Sequence, residues 1–247
     1  MLKPSRLILF SLSVLSFTFF PSYSSAQYEA PGRPRVAGSI KLSLLGIGGE
    51  VAVPLTDNMD VGAGFNGLGY SRDFDKDGVG YTGKLSFRTI EAHYDWFPFR
   101  GSFHVSPGML VYNGNEVTAN AFVPGGQSFD LDDTTYVSDP NHPMTGTGKI
   151  DFRKAAPIVT VGWGSLFPRN GRHWSIPFEI GVAFQGAPRA ALNLGGGACD
   201  ATGINCRDIN SDPSFQSNVQ AEQDKLNKEM SAFKFYPLIS IGFGYKF

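Results

Sequence analysis

The chain has 247 residues, a formal net charge of −1, 13% aromatic residues and 30 glycines. The near-neutral balance excludes the basic excess of a nucleic-acid binder, and no dinucleotide, P-loop, zinc or serine-hydrolase motif is present. After residue 26 no apolar run approaches the ~20 residues that a membrane-spanning helix needs.

Lys3 and Arg6 precede an apolar run over residues 7–20, Pro21 breaks it, and Ser24, Ser25 and Ala26 offer small residues for cleavage before Gln27. Residues 1–26 read as a secretory signal peptide, too short and wrongly flanked for a retained anchor. The remaining chain, about 220 residues, suits one domain. Abundant glycine and aromatic residues in a chain that is not hydrophobic overall fit a small barrel, because only every second strand residue meets lipid and a narrow lumen takes small side chains.

Strand patterns separated by turn residues recur near 39–54, 59–71, 80–96, 102–114, 148–166, 173–190 and 234–247. In the first, Ile40, Leu42 and Leu44 share one parity and Leu45, Ile47, Val51 and Val53 the other. A face cannot switch without a turn or bulge, so the segment divides into strands over 36–44 and 46–54. That supplies the even number a closed bacterial barrel needs. The expected fold is all-β: an antiparallel up-and-down transmembrane barrel of eight strands.

Connections near 55–58, 97–101 and 167–172 are short, whereas those near 113–148 and 186–233 are long. This asymmetry separates periplasmic turns from external loops. Trp96, Phe97, Phe99, Trp163, Phe167 and Trp174 cluster at the short-turn ends, where an interfacial aromatic girdle is expected. Asp73, Asp75, Asp77 and Gly78 match the first half of a calcium loop, but Lys84 stands where its bidentate Glu is required. An acidic hairpin tip is the better reading, and a weak exposed calcium site the other.

Strand parity nominates the lumen. Glu179 and Gln185 oppose Phe178, Ile180 and Phe184; Lys84 and Arg88 oppose Leu85 and Phe87; His104 and Lys246 are assigned inward as well. A carboxylate among Lys and Arg in a narrow interior forms either a salt-bridged filling or a charged path for small polar solutes. No histidine has a convincingly spaced nucleophile partner, so no enzymatic activity, cofactor or metal is expected. Cys199 and Cys206, close together in an exported chain, read as a disulfide closing a short loop. Residues 219–230 carry the one helical pattern, with Leu226 and Met230 one turn apart.

Residues 152–164 resemble residues 233–244: the prolines, apolar pairs and Gly-aromatic-Gly endings align, as hairpin repetition in a barrel would have them. In residues 237–247, Ile239, Ile241, Phe243, Tyr245 and Phe247 share one face, and small or polar residues the other. A closing aromatic strand ending in Phe247 resembles that of Gram-negative outer-membrane barrels, in which Tyr245 and Phe247 would act as the assembly signal. Residues 148–164, 178–188, 45–50 and 224–247 together resemble small eight-stranded outer-membrane proteins of the carbapenem-associated ornithine-uptake type. The resemblance implies location in the cell outer membrane. It implies outer-membrane lipid, lipopolysaccharide and the barrel assembly machinery as partners, and no nucleic acid. For function it leaves two readings: a narrow channel for small polar solutes, or a non-conducting structural or adhesion barrel acting through its external loops.

Overall fold

The structure, a computed structural model, describes residues 35–168 and 172–247. The signal-peptide reading lies outside them. The strands are β1 (Ala37–Ser43), β2 (Gly46–Thr56), β3 (Met59–Lys76), β4 (Val79–Trp96), β5 (Phe103–Asn113), β6 (Glu116–Val123), β7 (Ser128–Leu131), β8 (Thr134–Ser138), β9 (Met144–Asp151), β10 (Ala156–Trp163), β11 (Trp174–Ser175), β12 (Phe178–Ala183), β13 (Arg189–Gly195), β14 (Gly197–Cys199), β15 (Arg207–Asp208) and β16 (Tyr236–Lys246); helix α1 spans Pro213–Met230. β1, β2, β3, β4, β5, β10, β12 and β16 pair antiparallel in that order, and β16 returns to β1, closing an eight-stranded barrel. Closure removes every edge from the spanning region, the condition under which a sheet can sit in lipid.

The division near residue 45 is observed. β1 and β2 are joined at Leu44 and Leu45, and Ser43 pairs with Gly46. Leu44 stays outside while Leu45 turns into the barrel and is buried. The two sides of the wall are sharply different. Ile40 is 70% exposed and Phe65 63%, in company with Ile47, Val51, Ile180, Ile239 and Ile241. So much outward aliphatic surface has a favourable solvent only in lipid. The chain is a transmembrane barrel of the outer-membrane type.

Exposed rings gather at the short-turn end. Trp174 stacks on Phe243 at 5.0 Å and meets Tyr245 at 4.5 Å; Phe103 bridges Trp163 and Phe99. Two members of the expected girdle lie elsewhere. Phe97 is buried, its ring 5.3 Å from His104. Phe167 packs with Leu166 against Ala37 and Ala52. Both stand at the start of short connections, just after a strand ends, and pack under the barrel instead of facing lipid.

At the other end the wall rises on one side only. β3 and β4 pair along their full length to a two-residue turn at Asp77 and Gly78, both with positive φ. That Asp-Gly turn matches the twist of the flanking strands, and it forms the acidic tip. Above the barrel, β6, β9 and β13 continue the lines of β5, β10 and β12 and extend the sheet from β4. The pattern near 148–166 is therefore two strands with a break, and that near 173–190 runs through β11, β12 and the start of β13. β7, β8, β14 and β15 form a separate small sheet. Val79, Val123, Leu131, Met144, Leu194, Ile209 and Phe215 give this outer layer its own core.

Helix α1 begins at Pro213, earlier than the periodicity suggests, because Asp212 caps it by accepting from the Ser214 N–H and Pro213 takes the first turn. Its role rests on amides. Asn227 accepts from the Ala190 N–H at 2.8 Å and donates to the Ala190 carbonyl, and Gln223 accepts from the Leu192 N–H at 3.0 Å. The helix thus satisfies the free edge of β13, which would otherwise invite pairing by another strand.

Cys199 and Cys206 form the disulfide. Inside the ring, Asp200 accepts from the Thr202 hydroxyl, from the Thr202 and Ile204 N–H groups and from Asn205. These bonds, Thr202's hydroxyl foremost, hold the Asp200 carboxyl down to about 2. A depressed carboxylate stabilises above its unfolded value and loses that contribution as pH falls through its folded one, here between about pH 4 and pH 2. Reduction at neutral pH should therefore leave the barrel's melting unchanged and raise amide exchange only within residues 200–205. Protection of these amides, measured against their intrinsic exchange rates, should fall further when the reduced protein is taken to pH 2. A barrel melting shift on reduction would show instead that the ring supports the wall.

Candidate functional site

The interior is built from alternate residues of eight strands, and it is layered. At the outer end Leu45, Leu110, Ala156, Ile158, Ala183 and Leu238 pack together, with Tyr236 against them and Phe87 edge-on to Tyr236. At the periplasmic end Ala37, Ala52, Leu166 and Phe97 are buried. Between these apolar layers lie Lys41, Glu50, Asn66, Thr89, Glu91, His93, Asp95, His104, Ser106 and Glu179. The cavity left among them is about 30 Å³, room for about one water.

Each charged group is placed by its strand. Lys41 of β1 is ion-paired with Glu91 of β4 and lies 3.5 Å from Glu50 of β2. Asn66 of β3 donates to Thr89 at 3.2 Å and to Glu91 at 3.4 Å. His93 Nε2 stands 3.3 Å from Glu50 Oε1 and 3.8 Å from Asp95 Oδ2. Ser106 donates to Asp95 Oδ1. On the opposite wall His104 Nε2 lies 3.5 Å from Glu179 Oε1, and Ser240 donates to Glu179 Oε2 at 3.5 Å. Glycines make these meetings possible. Gly62 and Gly64 of β3 lie between β2 and β4; a Cβ at Gly62 would overlap the His93 ring, and one at Gly64 would crowd Glu91 and Lys41. Gly162 of β10 gives the same room to His104.

Of the residues nominated from sequence, Glu179 and His104 face inward and meet each other. Gln185 is buried above β12, where it donates to the Phe233 carbonyl at 3.3 Å. Lys246 has inward parity at the periplasmic mouth, near Asp60. Lys84 and Arg88 are corrected: both point out of the barrel. β4 keeps one parity along its length, with Thr89, Glu91, His93 and Asp95 buried inside, so Arg88 and Lys84 share the outer face with Ile90 and Trp96. Glu179 is therefore faced by His104 and Ser240 in place of the expected Lys84 and Arg88. Leu85 and Phe87, read as lipid-facing, turn inward above the lumen. Lys41, Glu50, Glu91, His93 and Asp95 were missed. Their signal was available: charged residues at 91, 93 and 95 alternate with Ile90, Ala92, Tyr94 and Trp96.

Tyr245 lies on the lipid side of β16 and Phe247 follows it, their rings 5.0 Å apart. The geometry holds buried charges in fixed relation around a cavity of about 30 Å³.

No protein-family model and no curated protein sequence matches the chain. Solved structures do. The Acinetobacter baumannii protein CarO is 18% identical, with a TM-score of 0.54 over 85% of this chain and 97% of that one. A second Acinetobacter baumannii protein, CarO2, is 16% identical, with a TM-score of 0.54 over 87% of this chain and 99% of that one. The chain shares with these two proteins the closed eight-stranded barrel fold of outer-membrane proteins.

Proposed function

We propose that this protein is a non-conducting outer-membrane barrel whose buried charge network fixes the wall and whose ordered outer layer is the working surface. One observation carries the reading: two apolar layers enclose the charged interior, and about 30 Å³ remains between them. A hydrated solute needs a continuous polar path, whereas Leu45 and Phe97 lie across it from opposite ends. No catalytic role is part of the proposal, because His93 and His104 are enclosed in the lumen, away from any lipid substrate. Refolded protein in planar bilayers should give no unitary current steps. Reproducible cation-selective steps would overturn this reading in favour of a narrow channel, since carboxylates outnumber lysines in the charged layer.

Lipopolysaccharide is the proposed lipid partner. Arg88 and Lys84 project outward beyond Ile90 towards the long connections, and Arg153, Lys154 and Arg189 add basic groups there, whereas Lys149 is ion-paired with Glu116 and Asp151. Arginine and lysine suit phosphate. Reversing both Arg88 and Lys84 to Glu should lower the lipopolysaccharide that co-purifies with the barrel. An unchanged amount would remove the assignment.

A further inference from the structure

We propose that Glu50, His93 and Asp95 form a binding site for one divalent first-row transition-metal ion inside the barrel. Their nearest ligand atoms all lie within 4.8 Å of one another. Bonds of about 2.1 Å at tetrahedral or octahedral angles place ligand atoms about 3.0–3.4 Å apart. The His93–Glu50 separation of 3.3 Å already fits, and the His93–Asp95 separation of 3.8 Å needs a side-chain shift below an ångström.

The decisive observation is His93 Nε2. It is buried and makes no well-aligned hydrogen bond, although the Glu50 and Asp95 oxygens stand 3.3 and 3.8 Å from it as ion-pair partners. A buried ring nitrogen held among two carboxylate oxygens without a well-directed bond is incompletely satisfied. A cation between the three atoms supplies it.

The surroundings are those of a built site. Each carboxylate has its second oxygen occupied: Glu50 Oε2 faces Lys41 Nζ at 3.5 Å, and Asp95 Oδ1 accepts from Ser106. The other oxygen of each, Oε1 and Oδ2, is left facing the imidazole. Outer partners of this kind orient metal ligands. Gly62 leaves the space in which the His93 ring lies, so ligands from β2 and β4 meet across β3. The adjacent cavity has room for one water as a further ligand. Charge points the same way. Among the described residues, Glu50, Glu91, Asp95 and Glu179 are faced by Lys41, His93 and His104, and where the imidazoles are neutral a divalent ion reduces the negative surplus. One imidazole with two carboxylates suits zinc and its neighbours better than calcium.

The test uses untagged full-length mature barrel, refolded with zinc or with EDTA, because a closed lumen loads best before it closes. Elemental analysis after gel filtration should find about one zinc per barrel, and cobalt-loaded protein should show visible d–d absorption. Asp95→Asn, nearly isosteric, and His93→Ala should lose the ion. Ser106→Ala should weaken binding about tenfold through Asp95 orientation. His142→Ala, on an exposed loop, should keep full stoichiometry. Wild-type protein that retains no zinc, gives no cobalt band and melts identically with zinc and EDTA would overturn the site and leave an ion-pair network alone. Equal zinc in wild type and Asp95→Asn would place the ion elsewhere and overturn it equally.

Discussion

Replacing Lys41 with Met should be the most damaging single change in the barrel interior. Lys41 lies between Glu91, its ion-pair partner, and Glu50 at 3.5 Å, and all three are enclosed. Met keeps the length of the side chain and removes the charge. Two carboxylates then remain in a low-dielectric layer without their cation. Breaking a buried pair by removing one partner costs about 3–5 kcal/mol, most of it the penalty on the charge left behind. The urea midpoint for loss of the heat-modifiable folded band should fall accordingly, in EDTA so that any bound cation is excluded. Adding Glu91→Gln to Lys41→Met should recover part of the loss, because one stranded charge is then gone. Glu50 remains, so recovery should be incomplete. A loss below about 1 kcal/mol, with no recovery in the double variant, would mean that water reaches these groups and that the lumen is wetter than its cavity implies.

The barrel was legible in the sequence where its two faces meet different solvents. β16 alternates Ile239, Ile241, Phe243 and Tyr245 against Ser240, Gly242 and Gly244 because lipid lies on one side and a crowded lumen on the other. The same logic located the turn at Leu44 and Leu45, where the apolar parity changes. Above the lipid the rule fails. There both faces of β4 meet protein or water, so Leu85 and Phe87 are apolar for reasons internal to the outer layer. Reading them as lipid-facing reversed the assignment of Lys84 and Arg88. Starting from Glu91, His93 and Asp95, within the spanning part, gives the right parity for the whole strand. The meeting of Glu50 with His93 was not legible, since it depends on the register of three strands and on Gly62 between them. The edge-capping amides of Asn227 and Gln223 were hidden similarly: nothing along the helix reveals which strand it protects.

The inside–outside assignment of β12 supplies the second large effect. Ile180 faces outward on the wall beside Ile239 and Val161, whereas its neighbour Glu179 faces His104 across the lumen. Ile180→Arg places a charge on the lipid face, at a cost of about 2–4 kcal/mol near the midplane. The expected result is a large drop in folded, heat-modifiable protein in outer-membrane fractions. Deletion of Phe247 provides the reference for impaired assembly, on the proposal that the barrel assembly machinery reads Tyr245 and Phe247. Glu179→Gln should behave differently. It keeps the side-chain volume and the contact with Ser240, and it removes one of the four carboxylates of the charged layer, the one faced by His104. Insertion should therefore stay near wild type. If Glu179→Gln and Ile180→Arg lowered insertion equally, β12 would be rotated by one residue and the charge layer would have to be redrawn, because a one-residue slip exchanges every side chain between lumen and lipid.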